Sequence, residues 1–104
     1  MITRFAPSMT GYLHAGHLLH LIYLSAFAKV YNLSIKLRIE DHDVTRFKLD
    51  YQKALFNDLC QFGFEWVNEP VFQSRSFSFY EEKLDELYHQ GLVYGCSCSR
   101  REIE

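Results

Sequence analysis

The sequence predicts an α/β fold begun by a parallel βαβ unit. Three segments carry that reading: residues 2–6, β-branched and aromatic and closed by Pro7; an apolar stretch over residues 16–31; and the alternating run Ile35-Lys36-Leu37-Arg38-Ile39. β-Branched and aromatic side chains suit a pleated strand. Pro7 ends the first one, because proline donates no ladder hydrogen bond and restricts the residue before it. From about Gly16 to Tyr31 the apolar residues, among them Leu18, Leu21, Ile22, Leu24, Phe27 and Val30, lie nearly all round the helix axis, which predicts a buried helix. Asn32 and Leu33 turn the chain, and the period-two spacing of Ile35, Leu37 and Ile39 makes the second strand. Such a unit is almost always right-handed with parallel strands, and ligands gather at their carboxyl ends. The loop after Pro7 and the residues from Glu40 on lie there.

Downstream, Asp50 is the expected N-cap of a second helix that turns Ala54, Leu55, Leu59 and Phe62 inward and ends at Gly63. Cys60, on that helix, reads as a small buried residue. Residues 64–67 read as a short extended piece. Ser76 is placed to cap a third helix, with Phe79, Tyr80, Leu84, Leu87 and Tyr88 at helical spacing, stopped by Gly91. Residues 92–94 read as extended and lead into Cys96-Ser97-Cys98.

At 104 residues and 12.3 kDa the chain has room for one small core. With 48% apolar and 23% charged residues it has the composition of a folded domain. A net charge of -2 and a pI near 6.2 argue against a basic protein that coats nucleic-acid phosphates. The longest apolar stretch, residues 18–28, is interrupted by His20 and Ser25 and is too short to span a bilayer, so no membrane partner is expected. No secretory leader is visible, and three cysteines suit a reducing compartment, which makes the cytoplasm the expected setting.

The charge distribution says more than the total. No Asp or Glu precedes Glu40, whereas Arg4, Lys29, Lys36 and Arg38 are basic and His14, His17 and His20 fall close together. An anionic ligand requires a surface free of carboxylates. Glu40, Asp41 and Asp43 then arrive together, and Glu81, Glu82, Lys83, Asp85 and Glu86 read as the solvated face of the third helix.

The sharpest local signal is Gly11-Tyr12-Leu13-His14-Ala15-Gly16-His17, a glycine-bearing loop leading from a strand into a helix. Backbone N–H groups at a helix N-terminus form an anion site, and glycine allows a phosphate to approach closely. Two imidazoles three residues apart can donate to phosphate oxygens as charge builds up during displacement. The same H-x-x-H spacing also fits two structural histidines, and a metal site of His14, His17 and His20 lacks a neighbouring carboxylate.

Residues 4–17, R-F-A-P-S-M-T-G-Y-L-H-A-G-H, resemble the opening of the class I aminoacyl-tRNA synthetases specific for glutamate, R-F-A-P-S-P-T-G-x-L-H-x-G-H. Residues 37–43, L-R-I-E-D-H-D, are similar to the family's L-R-I-E-D-T-D, and Phe72-Gln73-Ser74 with Tyr80 to its Q-S-x-R-x-x-x-Y. The blocks stand in family order over nearly the whole chain. The resemblance implies a partial Rossmann-like (HUP-type) nucleotide-binding half-domain, with additional helices, that activates glutamate with ATP and Mg2+ for transfer to tRNA. By position it implies Arg4, Ala6, Ser8 and Glu40 for the amino acid, with Glu40 toward the ammonium. It implies Pro7, Ser8, Thr10, Gly11 and Gly16 around ATP, and His14 and His17 as the catalytic pair on its α-phosphate. A guanidinium fork at Arg4 suits a carboxylate. Met9 stands where the family usually has a second proline, which implies a less rigid loop, and Ser76 where it has arginine, with Arg75 adjacent.

Cys-Ser-Cys-Ser-Arg, residues 96–100, is similar to the opening half of the zinc site of this family, and most to that of the short paralogue that glutamylates queuosine in tRNA(Asp). Residues 1–95 are then the first half of the catalytic domain and residues 96–104 the start of a truncated zinc insertion, with Cys96 and Cys98 as two of the four ligands a closed site needs. The resemblance does not reach the later strands or the KMSKS-type lysine loop. A half-built sheet leaves an apolar edge and the flank of helix 18–30 uncovered, so a complementary half chain or self-association is expected. Two readings follow: a fragment or one half of a split glutamate-activating enzyme, or a truncated non-catalytic paralogue that binds a nucleotide, tRNA or protein.

Overall fold

The computed structural model describes residues 1–103; Glu104, the last residue of the expected zinc segment, lies outside the described residues. In chain order the elements are β1 (Ile2–Phe5), α1 (Ala15–Val30), β2 (Ser34–Ile39), α2 (Leu49–Gln61), β3 (Val71–Phe72), a 3-10 turn (Gln73–Ser76), α3 (Phe77–His89) and α4 (Arg100–Ile103). The strands form one sheet of order β1-β2-β3 in which both pairings are parallel. Parallel strands alternating with helices make a partial Rossmann-like α/β arrangement, as the sequence predicts. Two compact units result, Met1–Ser74 and the remainder from Arg75 on.

In the first unit, register decides which face is buried. Thr3 pairs with Ile35 and Phe5 with Leu37, and these partners share one face of the pleat. Phe5, Ile35, Leu37 and Ile39 are buried there together with Leu21 and Ala28 of α1 and Leu55 and Leu59 of α2. The opposite face carries Ile2, Arg4, Lys36 and Val71, all exposed, and Arg38, half-buried.

α1 is not the buried helix that its composition suggests. Only Leu21 and Ala28, two turns apart, are buried, while Ile22, Tyr23, Phe27 and Val30 are all more than half exposed. A helix lying on one sheet face buries a single stripe, so the rest of its apolar surface faces outward, as expected for the flank. Two further expectations change at α2. Its N-cap is Lys48, without a side-chain cap bond, and Asp50 sits inside the first turn, where it complements the positive end of the dipole. Its inward stripe is Leu55 and Leu59; Phe62, past the last helical residue, is 51% exposed, because Gly63 at φ 63 turns the chain away. Cys60 is exposed rather than buried, since it follows Leu59 by about 100° around the helix.

Residues 64–67 form no strand, although the Val67 N–H bonds to the Ile35 carbonyl at 2.8 Å and Phe64 is buried. β3 follows at Val71–Phe72, too short to be read from periodicity.

In the second unit Ser76 is the N-cap of α3 without a side-chain cap bond, and Gly91 at φ 71 follows its end. None of the apolar residues of α3 is buried, and residues 92–94 form no strand. Lys83 is ion-paired with Glu86 and lies over the Phe79 ring, and the N–H and hydroxyl of Ser99, the residue before α4, both bond to Glu102 within it. No described helix is long and apolar enough to cross a membrane.

The core assignment makes a contrast that equilibrium urea unfolding checks. Ile39→Ala, at a fully buried position, is expected to cost about 2–5 kcal/mol. Phe62→Ala is expected to cost less than about 1 kcal/mol.

Candidate active site

The carboxyl ends of β1 and β2 are stitched together beyond the strands. Glu40 N–H donates to the Pro7 carbonyl at 3.1 Å and Met9 N–H to the Glu40 carbonyl at 3.4 Å, forming a parallel bridge between Ser8 and Glu40. Met9 is 2% exposed and part of the core. The loop is therefore anchored where a less rigid one was expected: a proline there would keep neither the methionine side chain in the core nor the N–H that reaches Glu40. Pro7 is buried, Ala6 half-buried, and Ser8 and Thr10 are exposed, with their hydroxyls 3.3 Å apart.

α1 begins with a capping box built from imidazoles. His14, at φ -133 and ψ 176, is the N-cap. Its Nδ1 accepts from the Gly16 N–H at 3.1 Å, while its own N–H donates to His17 Nδ1 at 3.2 Å. The two ring centroids are 4.0 Å apart. A ring nitrogen that accepts carries no proton, so in the neutral form each ring bears its proton on Nε2. His14 is exposed and His17 half-buried, and no acidic residue occupies the first turn. Burial holds the His17 pKa below the usual histidine value, with smaller contributions from the charges of His14 and His20. The helix start thus combines a helix dipole with two imidazoles whose Nε2 atoms are not used by the capping box, an arrangement suited to an anion.

Strand alternation places Arg4, Lys36, Arg38 and Glu40 on the open sheet face, Arg4 with Lys36 as its Cα partner. Glu40 is ion-paired with Arg38, so both half-buried charges are compensated. Arg38 was not anticipated in this role, although its position two residues before Glu40 on one strand face signals it. Asp41 accepts from the Ser74 N–H at 2.8 Å and from its hydroxyl at 2.6 Å, tying the turn after β3 to the end of β2. No local pattern links residues so far apart in sequence. Beside these charges, Arg38 Nε and Gln73 Oε1 are buried without a hydrogen-bond partner among the described residues.

The structure thus gathers Pro7, Ser8, Thr10, Gly11, His14, Gly16 and His17 in one loop and helix start, joined through the bridge to Glu40. Arg4 stands on the open face, and Cys96 and Cys98 belong to the second unit.

Residues 1–104 match the family described as tRNA synthetases class I (E and Q), catalytic domain. The chain belongs to this family. It is 39% identical over 104 residues to a glutamate–tRNA ligase of Oleidesulfovibrio alaskensis, of which it covers 22%. It is 43% identical over 104 residues to a glutamyl-Q tRNA(Asp) synthetase of Rhodobacter capsulatus, of which it covers 37%. Over 102 residues it is 42% identical to a glutamate–tRNA ligase of Aquifex aeolicus, covering 21% of that protein. The chain therefore spans between about a fifth and just over a third of the length of these synthetases.

Synthetases of this family use ATP, generally with Mg2+. Cys96 and Cys98 are exposed free thiols, and among the described residues no group of three His, Cys, Asp or Glu side chains is placed to hold a metal ion.

The lowered His17 pKa makes stability depend on pH with a definite sign. Below about pH 6.5 the unfolded chain binds a proton at His17 that the folded chain resists, so stability is full above that value and falls as pH drops through the folded pKa. Urea unfolding at about pH 7.5 and 5.5 is expected to show this loss. His17→Gln, which keeps an acceptor for the His14 N–H without titrating, is expected to reduce it.

Proposed function

We propose that the chain carries the ATP and glutamate subsites of a glutamate–tRNA ligase-like enzyme. In this reading the α-carboxylate of glutamate attacks the α-phosphorus of ATP, a carboxyl–phosphate bond forms, the α–β phosphoanhydride breaks, and pyrophosphate leaves. A hydroxyl of the tRNA then attacks the glutamyl carbonyl, an ester bond forms, the carboxyl–phosphate bond breaks, and AMP leaves. The observation that carries this is the imidazole cap at the start of α1, hydrogen-bonded through Nδ1 so that the Nε2 atoms of both rings are left for a ligand beside the loop stitched to Glu40.

His14 and His17 donate through Nε2–H to α-phosphate oxygens as charge develops there, a role that preorganised donors perform without reorganising. Pro7, Thr10, Gly11 and Gly16 supply the close backbone approach around the nucleotide. Arg4 takes the side-chain carboxylate of glutamate in a bidentate fork, with Ala6 and Ser8 beside it. Glu40 takes the ammonium; because Arg38 already pairs with it, the incoming cation shares or displaces that partner. Mg2+ arrives on the triphosphate and offsets its charge. The acid-free sequence before Glu40 supports the anion side of this assignment.

The tRNA substrate is of the kind named for the relatives, a glutamate-accepting tRNA or tRNA(Asp), and the chain works in the cytoplasm. A complementary segment, in the same polypeptide or another, covers the apolar flank of α1 and supplies the remaining subsites. The exposed Ile22, Tyr23, Phe27 and Val30 and the greater length of the relatives support that part.

Calorimetric titration with a non-hydrolysable glutamyl-adenylate analogue tests the assignment. Saturable binding is expected, weakened at least about tenfold by His14→Ala and by Glu40→Ala, the scale of losing one charge-assisted contact. A folded chain that binds no analogue would overturn the reading and leave a non-catalytic binding module in its place.

A further inference from the structure

Gly16 lies within the first turn of α1, where alanine would favour the helix by up to about 1 kcal/mol. A side chain here would have to displace the His14 ring. A Cβ at this position would meet His14 Cε1 at 3.1 Å and His14 Nδ1 at 3.2 Å, closer than ordinary van der Waals contact. That Nδ1 is the acceptor for the Gly16 N–H, so the residue that gives the hydrogen bond also leaves room for the ring that receives it.

The consequence reaches both imidazoles. Each ring is held to the backbone by Nδ1 alone: His14 by the Gly16 N–H, and His17 by the His14 N–H. Among the described residues no carboxylate is ion-paired with His14 or His17, so no side-chain acceptor competes to draw the proton onto Nδ1. With the rings at 4.0 Å, displacing His14 also disturbs its neighbour.

We propose that Gly16 is a positioning residue: by leaving room for the His14 imidazole it lets the capping box lock His14 and His17 as Nε2–H tautomers, so that both present an N–H donor to the triphosphate. The lock is a property of the free chain; only the identity of the anion rests on the ATP reading above. A ring flipped to the other tautomer would set an N–H against a backbone N–H and turn a bare nitrogen toward the phosphate. The glycine therefore serves the donors rather than the helix.

Imidazole 15N spectra of the full chain at about pH 7.5, where histidine is mostly neutral, test this directly. The expected wild-type result is a protonated, pyrrole-type Nε2 and an unprotonated, pyridine-type Nδ1 on both rings without any ligand. In Gly16→Ala the His14 Nδ1 signal is expected to shift toward the pyrrole-type position as the single tautomer is lost. In Gly95→Ala, where an added Cβ has nothing within 4 Å, it is expected to stay in place. A proton on Nδ1 of either ring in the wild type overturns the lock, and this arm decides even if Gly16→Ala folds poorly. An unmoved His14 in a folded Gly16→Ala variant overturns the role of Gly16. Added MgATP is read separately: Nε2 signals that ignore it while the tautomers hold contradict the ATP assignment and leave the lock standing, and a failed lock with intact MgATP binding does the reverse.

Discussion

The parallel bridge between Ser8 and Glu40 is the constraint on which the site depends. Parallel strands cannot be joined by a tight turn, so the chain after β1 must cross over through α1 before β2 can lie beside it. That crossover brings the loop of residues 6–14 to the same end of the sheet as Glu40. The Glu40 N–H bond to the Pro7 carbonyl then fixes the two together, and the buried Met9 side chain holds the loop down. Without this stitching, the helix start and the acidic residue would belong to two independently moving segments.

Capping chemistry is the second determinant. Most capping boxes end a helix with Ser or Thr and a Glu or Gln three residues on, and an acidic partner there would repel an anion. In this chain both positions are histidine, which satisfies two orphan N–H groups without adding negative charge. The negative charge that does appear, at Glu40, is compensated by Arg38 on the same strand face. Carboxylates nearby are also occupied: Asp41 holds the Ser74 backbone and hydroxyl, and Asp43 accepts from Thr45. The end of the sheet thus presents donors toward one side and a paired acid toward the other.

Much of this was legible in the sequence. The alternation at Ile35, Leu37 and Ile39, the stop at Pro7 and the glycine-bearing loop before a helix are local signals with local causes. The parallel pairing follows from them through crossover rules. What composition misjudged depends on the surroundings: an apolar surface all round α1 does not say how much sheet it has to cover, and Phe62 and Cys60 depend on where α2 stops and which way it faces. The start of α2 at Lys48 rather than Asp50 is set by the turn around Asp43, Thr45 and Arg46. The Asp41–Ser74 lock and the two-residue β3 escape sequence reading altogether, because one is a long-range pairing and the other too short for a period. The H-x-x-H spacing admitted structural and ligand-facing histidines as alternatives, whereas the structure shows a capping pair that retains a second nitrogen on each ring.

Amide hydrogen exchange of the free chain tests most directly the claim that this bridge organises the site. The Glu40 N–H is predicted to exchange as slowly as the amides of Lys36 and Arg38, which face β1 in the same parallel ladder, because it is bonded across to Pro7. Exchange of Glu40 at the rate of the exposed Thr10 amide, in a chain whose β2 amides remain protected, would show the loop and the strand end to be independent and would contradict the account.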